Sequence, residues 1–169
     1  MKPWAVLLIL AVAIVLQTTV LNFFSFASAH PDLILTLTII VALLYGSRAG
    51  ISVGLLGGLA IDVLTGRYIG LFALTRALTG AAVGYAERRV YKENLVAPLV
   101  AGFGGGVLAE TLYFIGYRLL GGNAFFGPSL VRIILPAGVL SSLLTPFLYR
   151  QVINLGIVGK LMANSNTQI

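Results

Sequence analysis

Four charged residues lie within long apolar stretches of the sequence, and they are its main candidates for chemistry: Asp62, Arg76, Glu110 and Arg132. Asp62 and Glu110 could act as an acid and a base, but neighbouring arginines would keep both carboxylates ionised. The sequence has one histidine, His30, no cysteine, and neither an HExxH nor a GxSxG motif. We therefore predict no enzymatic activity, no cofactor and no metal site.

The composition indicates the surroundings in which these charges lie. The chain has 169 residues, of which 59% are hydrophobic and 9% are charged, whereas a soluble domain has about 25% charged residues. So few charges cannot cover a water-exposed surface, which excludes a soluble globule, a disordered chain and a disulfide scaffold. The net charge of +6 comes from basic residues that are mostly scattered singly, so we predict no nucleic-acid partner. The class that remains is an all-α integral membrane protein.

The charged residues divide the sequence into six apolar stretches. A helix that crosses a bilayer needs about 20 apolar residues, and we predict spans at residues 4–21, 32–45, 49–64, 68–85, 95–117 and 129–149. These form one compact six-helix transmembrane domain over residues 1–159, followed by a polar cytoplasmic tail at 160–169. The third span is short, because sixteen residues reach only about 24 Å. Whether this span crosses the membrane fully is left open.

The distribution of lysine and arginine predicts the orientation. In a six-span topology, seven basic residues fall on one side of the membrane and three on the other. The first side has Lys2, Arg48, Arg88, Arg89, Lys92, Arg150 and Lys160, and the second side has Arg67, Arg118 and Arg132. The more basic side is normally cytoplasmic, so we predict that both termini are cytoplasmic. A signal peptide is the alternative for the N-terminus, because Ala27-Ser28-Ala29 resembles a cleavage site. The apolar stretch that continues to Phe26 favours a span.

Counting along the spans places the four buried charges at similar depths in the outer half of the membrane. Glu110 lies roughly 22 Å from the cytoplasmic start of its span, and Arg76 roughly 12 Å from the outer start of its own. Because a charge near the bilayer centre costs about 2.5–3.5 kcal/mol on insertion scales, we predict one balanced polar cluster between helices. Glu110 and Arg76 are the preferred pair. The cluster is interpreted as a structural ion network, a cavity for a ligand or partner segment, or a proton or ion relay.

Glycines recur every four residues along the third span, at Gly46, Gly50, Gly54 and Gly58. Small residues at this spacing lie on one helical face and permit another helix to approach closely. The sequence leaves open whether the second helix belongs to this chain or to a partner. A separate basic cluster, Arg88, Arg89 and Lys92, follows the fourth span. This cluster either only sets the topology, or it faces anionic lipids or a cytoplasmic partner. Attraction to an anionic lipid surface is worth about 1 kcal/mol per basic residue.

Three stretches of the sequence resemble the rod shape-determining protein MreD family. They are Pro31-Asp32-Leu33, the glycine-rich run at 57–66 that continues through Gly70-Leu71-Phe72-Ala73-Leu74, and Glu87-Arg88-Arg89 followed by Glu93-Asn94. The second stretch is similar to the family's GLxxDxxxG…GxxAL pattern. The resemblance covers almost the whole chain. It implies structural roles for Gly58, Asp62, Gly66 and Gly70, and we predict that Gly66 and Gly70, like the four glycines of the third span, serve helix packing or partner docking.

The resemblance also implies a function. Members of this family are non-enzymatic proteins of the bacterial inner membrane that belong to the cell-elongation machinery. It implies a single-span MreC-like partner and indirect links to the MreB filament, to RodA and to the transpeptidase that works with RodA. The fold is expected to be similar to the S-components of energy-coupling-factor vitamin transporters. A small-molecule-binding subunit of such a transporter is therefore the alternative function.

Overall fold

The computed structural model describes residues 3–19, 32–66, 68–86, 96–122 and 128–154. Within these ranges the chain forms six helices and no strands: α1 (Pro3–Thr19), α2 (Leu33–Tyr45), α3 (Ser47–Thr65), α4 (Leu71–Ala86), α5 (Val96–Leu119) and α6 (Pro128–Asn154). The all-α prediction is confirmed. Two of these helices, α3 and α5, are long and apolar enough to cross a membrane by length and composition. The predicted tail at 160–169 lies outside the described residues.

The helix limits agree with the predicted spans except near two segments. α4 begins at Leu71 rather than at residue 68, because Gly66 and Gly70 have positive φ angles of 66° and 98° and the chain turns between them. α6 continues beyond residue 149 to Asn154 and runs through Pro136 and Pro146. The six-helix arrangement therefore follows the apolar stretches of the sequence.

α2 is the central helix of the structure. It packs against each of the other five helices, and Ile34, Leu35, Ile39 and Ile40 are almost completely buried. A helix that is apolar on every side has no face that prefers water, so enclosure by other helices is its stable position. α1, in contrast, packs mainly against α2 and α3 and lies at the edge of the bundle.

α3 and α4 form a hairpin with direct backbone contact. A Cβ atom added to Gly50 would lie 2.8 Å from the carbonyl oxygen of Gly80, and one added to Gly54 would lie 2.6 Å from that of Arg76. A Cβ on Gly58 would collide with the backbone of Ala73. The glycine face of α3 is thus filled by α4. This contact leaves no room on that face for a partner helix, which corrects the docking interpretation of the sequence pattern.

The other three glycines assigned to packing or docking have a different role. Gly46 has a φ of 83° and ends α2, Gly66 ends α3 in the left-handed conformation, and Gly70 precedes α4. A Cβ atom at any of them would meet nothing within 4 Å. The packing assignment is therefore wrong for these positions. Glycine serves there because a positive φ is strained for other residues.

Candidate functional site

Arg76 and Asp32 form a buried ion pair between α4 and α2. The Nη2 of Arg76 donates to Oδ2 of Asp32, and the two side chains are 6% and 15% exposed. Asp32 is also the N-cap of α2, because its Oδ1 accepts from the N–H of Leu35 at 2.9 Å. The predicted pairing of Arg76 with Glu110 is therefore corrected.

Sequence reasoning missed Asp32 because it treated this residue as the outer end of a span. The signal was present, since an aspartate that follows a proline at the start of an apolar run is a typical helix N-cap. A capping side chain folds back over the first turn of its helix. From that position Asp32 reaches the arginine of the adjacent helix α4.

Asp62 binds the first turn of α4 from the end of α3. Its Oδ2 accepts from the N–H groups of Gly70 and Ala73 at 2.9 and 3.0 Å, and its Oδ1 accepts from that of Phe72 at 3.1 Å. The residue is only 1% exposed. The first N–H groups of a helix lack partners within it and carry partial positive charge, so a carboxylate is well placed there. The partners of Asp62 are thus backbone amides, and the expectation of an arginine partner is wrong.

Glu110 lies on α5 within electrostatic range of the ion pair. The charges of both Asp32 and Arg76 act on its carboxylate, and its side chain is partly buried. The structure thus brings Asp32, Arg76 and Glu110 together between α2, α4 and α5. Arg132, the fourth charge of the predicted cluster, lies on α6 with its side chain outside the described part of the structure.

A column of aromatic rings extends from this cluster along the contact of α4 with α5. The ring of Phe72 stacks on Tyr113 with centroids 4.5 Å apart, Tyr113 stacks on Tyr117 at 6.4 Å, and Tyr117 meets Tyr68 edge to face at 5.3 Å. The guanidinium of Arg76 lies 4.3 Å from the centroid of Phe72, a cation–π contact. The sequence signal for this column was the four-residue spacing of Tyr113 and Tyr117, which puts both rings on one face of α5.

Gln17 connects the edge helix α1 to the same region. Its Oε1 accepts from the N–H groups of Leu33 and Ile34 at 3.1 and 3.3 Å. Together with Asp32, this side chain occupies the free N–H groups at the start of α2. A side-chain amide within an apolar stretch is costly in lipid unless it finds such partners. The presence of Gln17 in the first apolar stretch was therefore the sequence signal for a polar contact between helices.

The chemistry available to this site is binding and positioning. Among the described residues no group of three or more potential ligands could hold a metal ion. The Nε of Arg76 is buried and has no hydrogen-bond partner there. Two other predicted features, His30 and the basic cluster Arg88, Arg89 and Lys92, fall outside the described residues.

These observations define a small all-helical protein that exposes large apolar side chains on five of its helices, α1 and α3 to α6. In its interior Arg76 is paired with Asp32, and Asp62 is bound by backbone N–H groups. The family model for rod shape-determining protein MreD matches residues 1–152, and the chain belongs to this family. The family consists of membrane proteins of the cell-shape machinery that are structural and are not known as enzymes. No curated protein and no solved structure matches the chain. The expected similarity to S-components therefore stays a prediction.

Proposed function

We propose that this protein is a non-enzymatic scaffold in the bacterial inner membrane that maintains rod shape during cell elongation. It holds a single-span MreC-like partner and thereby connects MreB indirectly with RodA and its transpeptidase. All six helices cross the membrane, and both termini are cytoplasmic. The match to the MreD family over residues 1–152 carries this proposal.

The arrangement of buried polar groups supports a role in holding rather than reacting. Asp62, Gln17 and Asp32 each bind backbone N–H groups at a helix start. Groups fixed in this way resist displacement, since each lost partner leaves a buried polar atom unpaired. These contacts hold the start of α2 on α1 and the start of α4 on α3, so this part of the bundle can serve as a fixed support for α5.

The exposed face of α5 is the proposed docking position for the partner's helix. Gly104 is exposed on this face beside Val100 and Phe103, and a Cβ on Gly104 would meet nothing within 4 Å. It is thus a notch in an apolar surface, in contrast to Gly50, whose face α4 fills. In lipid, such a notch favours association because it lets a second backbone approach closely.

Complementation of a rod-shaped bacterium that lacks its own MreD tests the function directly. The chain is expected to restore rod shape and to co-purify with the single-span partner in mild detergent. Gly104→Leu is expected to reduce co-purification and give rounded cells. Val96→Leu, a bulk-adding change on the same helix at a residue that is 62% exposed, serves as the control. Full partner recovery with Gly104→Leu would reject the docking position, and round cells with the unmodified chain would reject the function.

A further inference from the structure

Arg76 has an unused hydrogen-bond donor in the interior of the bundle. Its side chain is 6% exposed, and its Nη2 binds Asp32, but its Nε has no partner among the described residues. A buried donor without an acceptor is destabilising, because it has lost its hydrogen bond to water without gaining another. The guanidinium is therefore not fully satisfied by the one carboxylate that it binds.

The register of α4 against α5 places a second carboxylate opposite this arginine. Phe72 and Tyr113 stack on each other across the two helices. One turn further along α4 is Arg76, and one turn back along α5 is Glu110, so the two charged residues lie at the same level. The charge of Arg76 does act on Glu110, as does that of Asp32.

We infer that Arg76 has two alternative carboxylate partners, Asp32 on α2 and Glu110 on α5, and that exchange between them gives α5 two packed positions relative to α2 and α4. The structure shows the Asp32 state. The inference does not rest on the proposed function, because it concerns only contacts within this chain.

The surroundings of the two acids differ, and this difference makes the state in which Arg76 binds Glu110 accessible. When Arg76 leaves, Asp32 still accepts from the N–H of Leu35 at a helix N-terminus, where a negative charge is stabilised. Glu110 sits in the middle of α5 without such a helix end. Each state therefore leaves one carboxylate without the arginine, and Asp32 is the one that has another donor.

The ring of Phe72 is the pivot of the exchange. The guanidinium is planar and already lies over this ring, so it can turn towards either acid without losing the cation–π contact. α5 packs on α2, α4 and α6, and Gly105 on α5 lies close to Ile39 and Thr79. The movement is thus restricted to a small shift of a packed helix, about 1–2 Å.

A double-mutant cycle on thermal unfolding of the full chain in detergent tests the exchange. Asp32→Asn keeps the oxygen that caps α2 and removes the negative charge. Glu110→Gln likewise removes the negative charge from α5 and keeps the size of the side chain. If either acid can replace the other, each single change lowers Tm by less than about 4 °C. The double variant then loses at least about 2–4 °C more than the sum. Asp62→Asn combined with Glu110→Gln is the control and is expected to be additive, because Asp62 binds amides rather than Arg76. Additive losses for Asp32→Asn and Glu110→Gln would overturn the inference.

Distance measurements provide a readout that does not depend on stability. The chain contains no cysteine, so spin labels can be placed at Leu74→Cys on α4 and Ile115→Cys on α5, where the native side chains are 56% and 44% exposed. Asp32→Asn is expected to shift the mean distance by about 1–2 Å, whereas Glu110→Gln keeps the original distribution. An identical distribution in the parent chain and in Asp32→Asn would also overturn the inference.

Discussion

Gly58 on α3 touches Ala73 on α4 backbone to backbone, with no space between them for a side chain. A Cβ atom on Gly58 would overlap both the N and the Cα of Ala73. Backbone atoms cannot move aside as the end of a flexible side chain can. The α3–α4 hairpin therefore depends on the absence of one methyl group at this position.

Replacement of Gly58 by alanine is expected to destabilise the protein. Overpacking a tight contact costs about 1–3 kcal/mol, and the better helix propensity of alanine offsets up to about 1 kcal/mol of this. Gly104→Ala is the matched control, because a Cβ there meets nothing within 4 Å and should raise stability slightly. Thermal unfolding of both variants in the same detergent checks the prediction. Equal Tm values for the two would contradict the close contact.

Removal of the carboxylate of Asp62 is expected to loosen the start of α4. Asp62→Ala leaves the N–H groups of Gly70, Phe72 and Ala73 without their acceptor, at about 1–3 kcal/mol for each buried group. Asp62→Asn keeps one acceptor oxygen and should lie between the alanine variant and the parent. The measurement is thermal unfolding together with hydrogen exchange of these three amides. Unchanged exchange in Asp62→Ala would show that the carboxylate is not what protects these three amides.

Loss of the Gln17 amide is expected to release α1 from the bundle before the other helices separate. Gln17→Leu keeps the bulk but removes the acceptor for the N–H groups of Leu33 and Ile34. Gln17→Glu retains two acceptor oxygens and is the control. Hydrogen exchange at Leu33 and Ile34 should become faster in the leucine variant and remain slow in the glutamate variant. Slow exchange in both would mean that Gln17 is not what protects these amides.

Charge reversal in the basic cluster Arg88, Arg89 and Lys92, which we predict to face the cytoplasm, is expected to weaken attraction to anionic lipids. The double variant Arg88→Glu with Arg89→Glu changes the loop charge by four units, and each basic residue contributes about 1 kcal/mol near such a surface. Partner recovery and cell shape are the readouts, and the accessibility of single cysteines added to the termini checks that orientation is retained. If orientation, recovery and shape all stay normal, the loop serves neither lipids nor a partner.

The number and approximate limits of the helices could be predicted because they depend on local sequence. An apolar stretch bounded by charges forms one helix, and Gly46 and Gly66 mark the breaks on each side of α3. The partner of a buried charge depends instead on which helices are neighbours. Counting residues placed Arg76 and Glu110 at one level, but it did not show that the cap of α2 reaches Arg76 from the side.

The glycine pattern shows the same limit. A four-residue repeat identifies a face of α3, but it does not identify the helix that covers that face. Gly46 continues the repeat by one step, yet its φ of 83° puts it in the turn before α3. Periodicity cannot separate a packing glycine from a turn glycine that falls one helical turn earlier.

The contacts that join α3 to α4 all lie within a short segment of the chain. The glycine contacts and the three hydrogen bonds of Asp62 connect residues between 46 and 84. Contacts between residues close in sequence form early, because little chain must be ordered to make them. During synthesis this pair of helices can therefore assemble while the later part of the chain is still in the ribosome, and α5 and α6 then pack against a hairpin that is already folded.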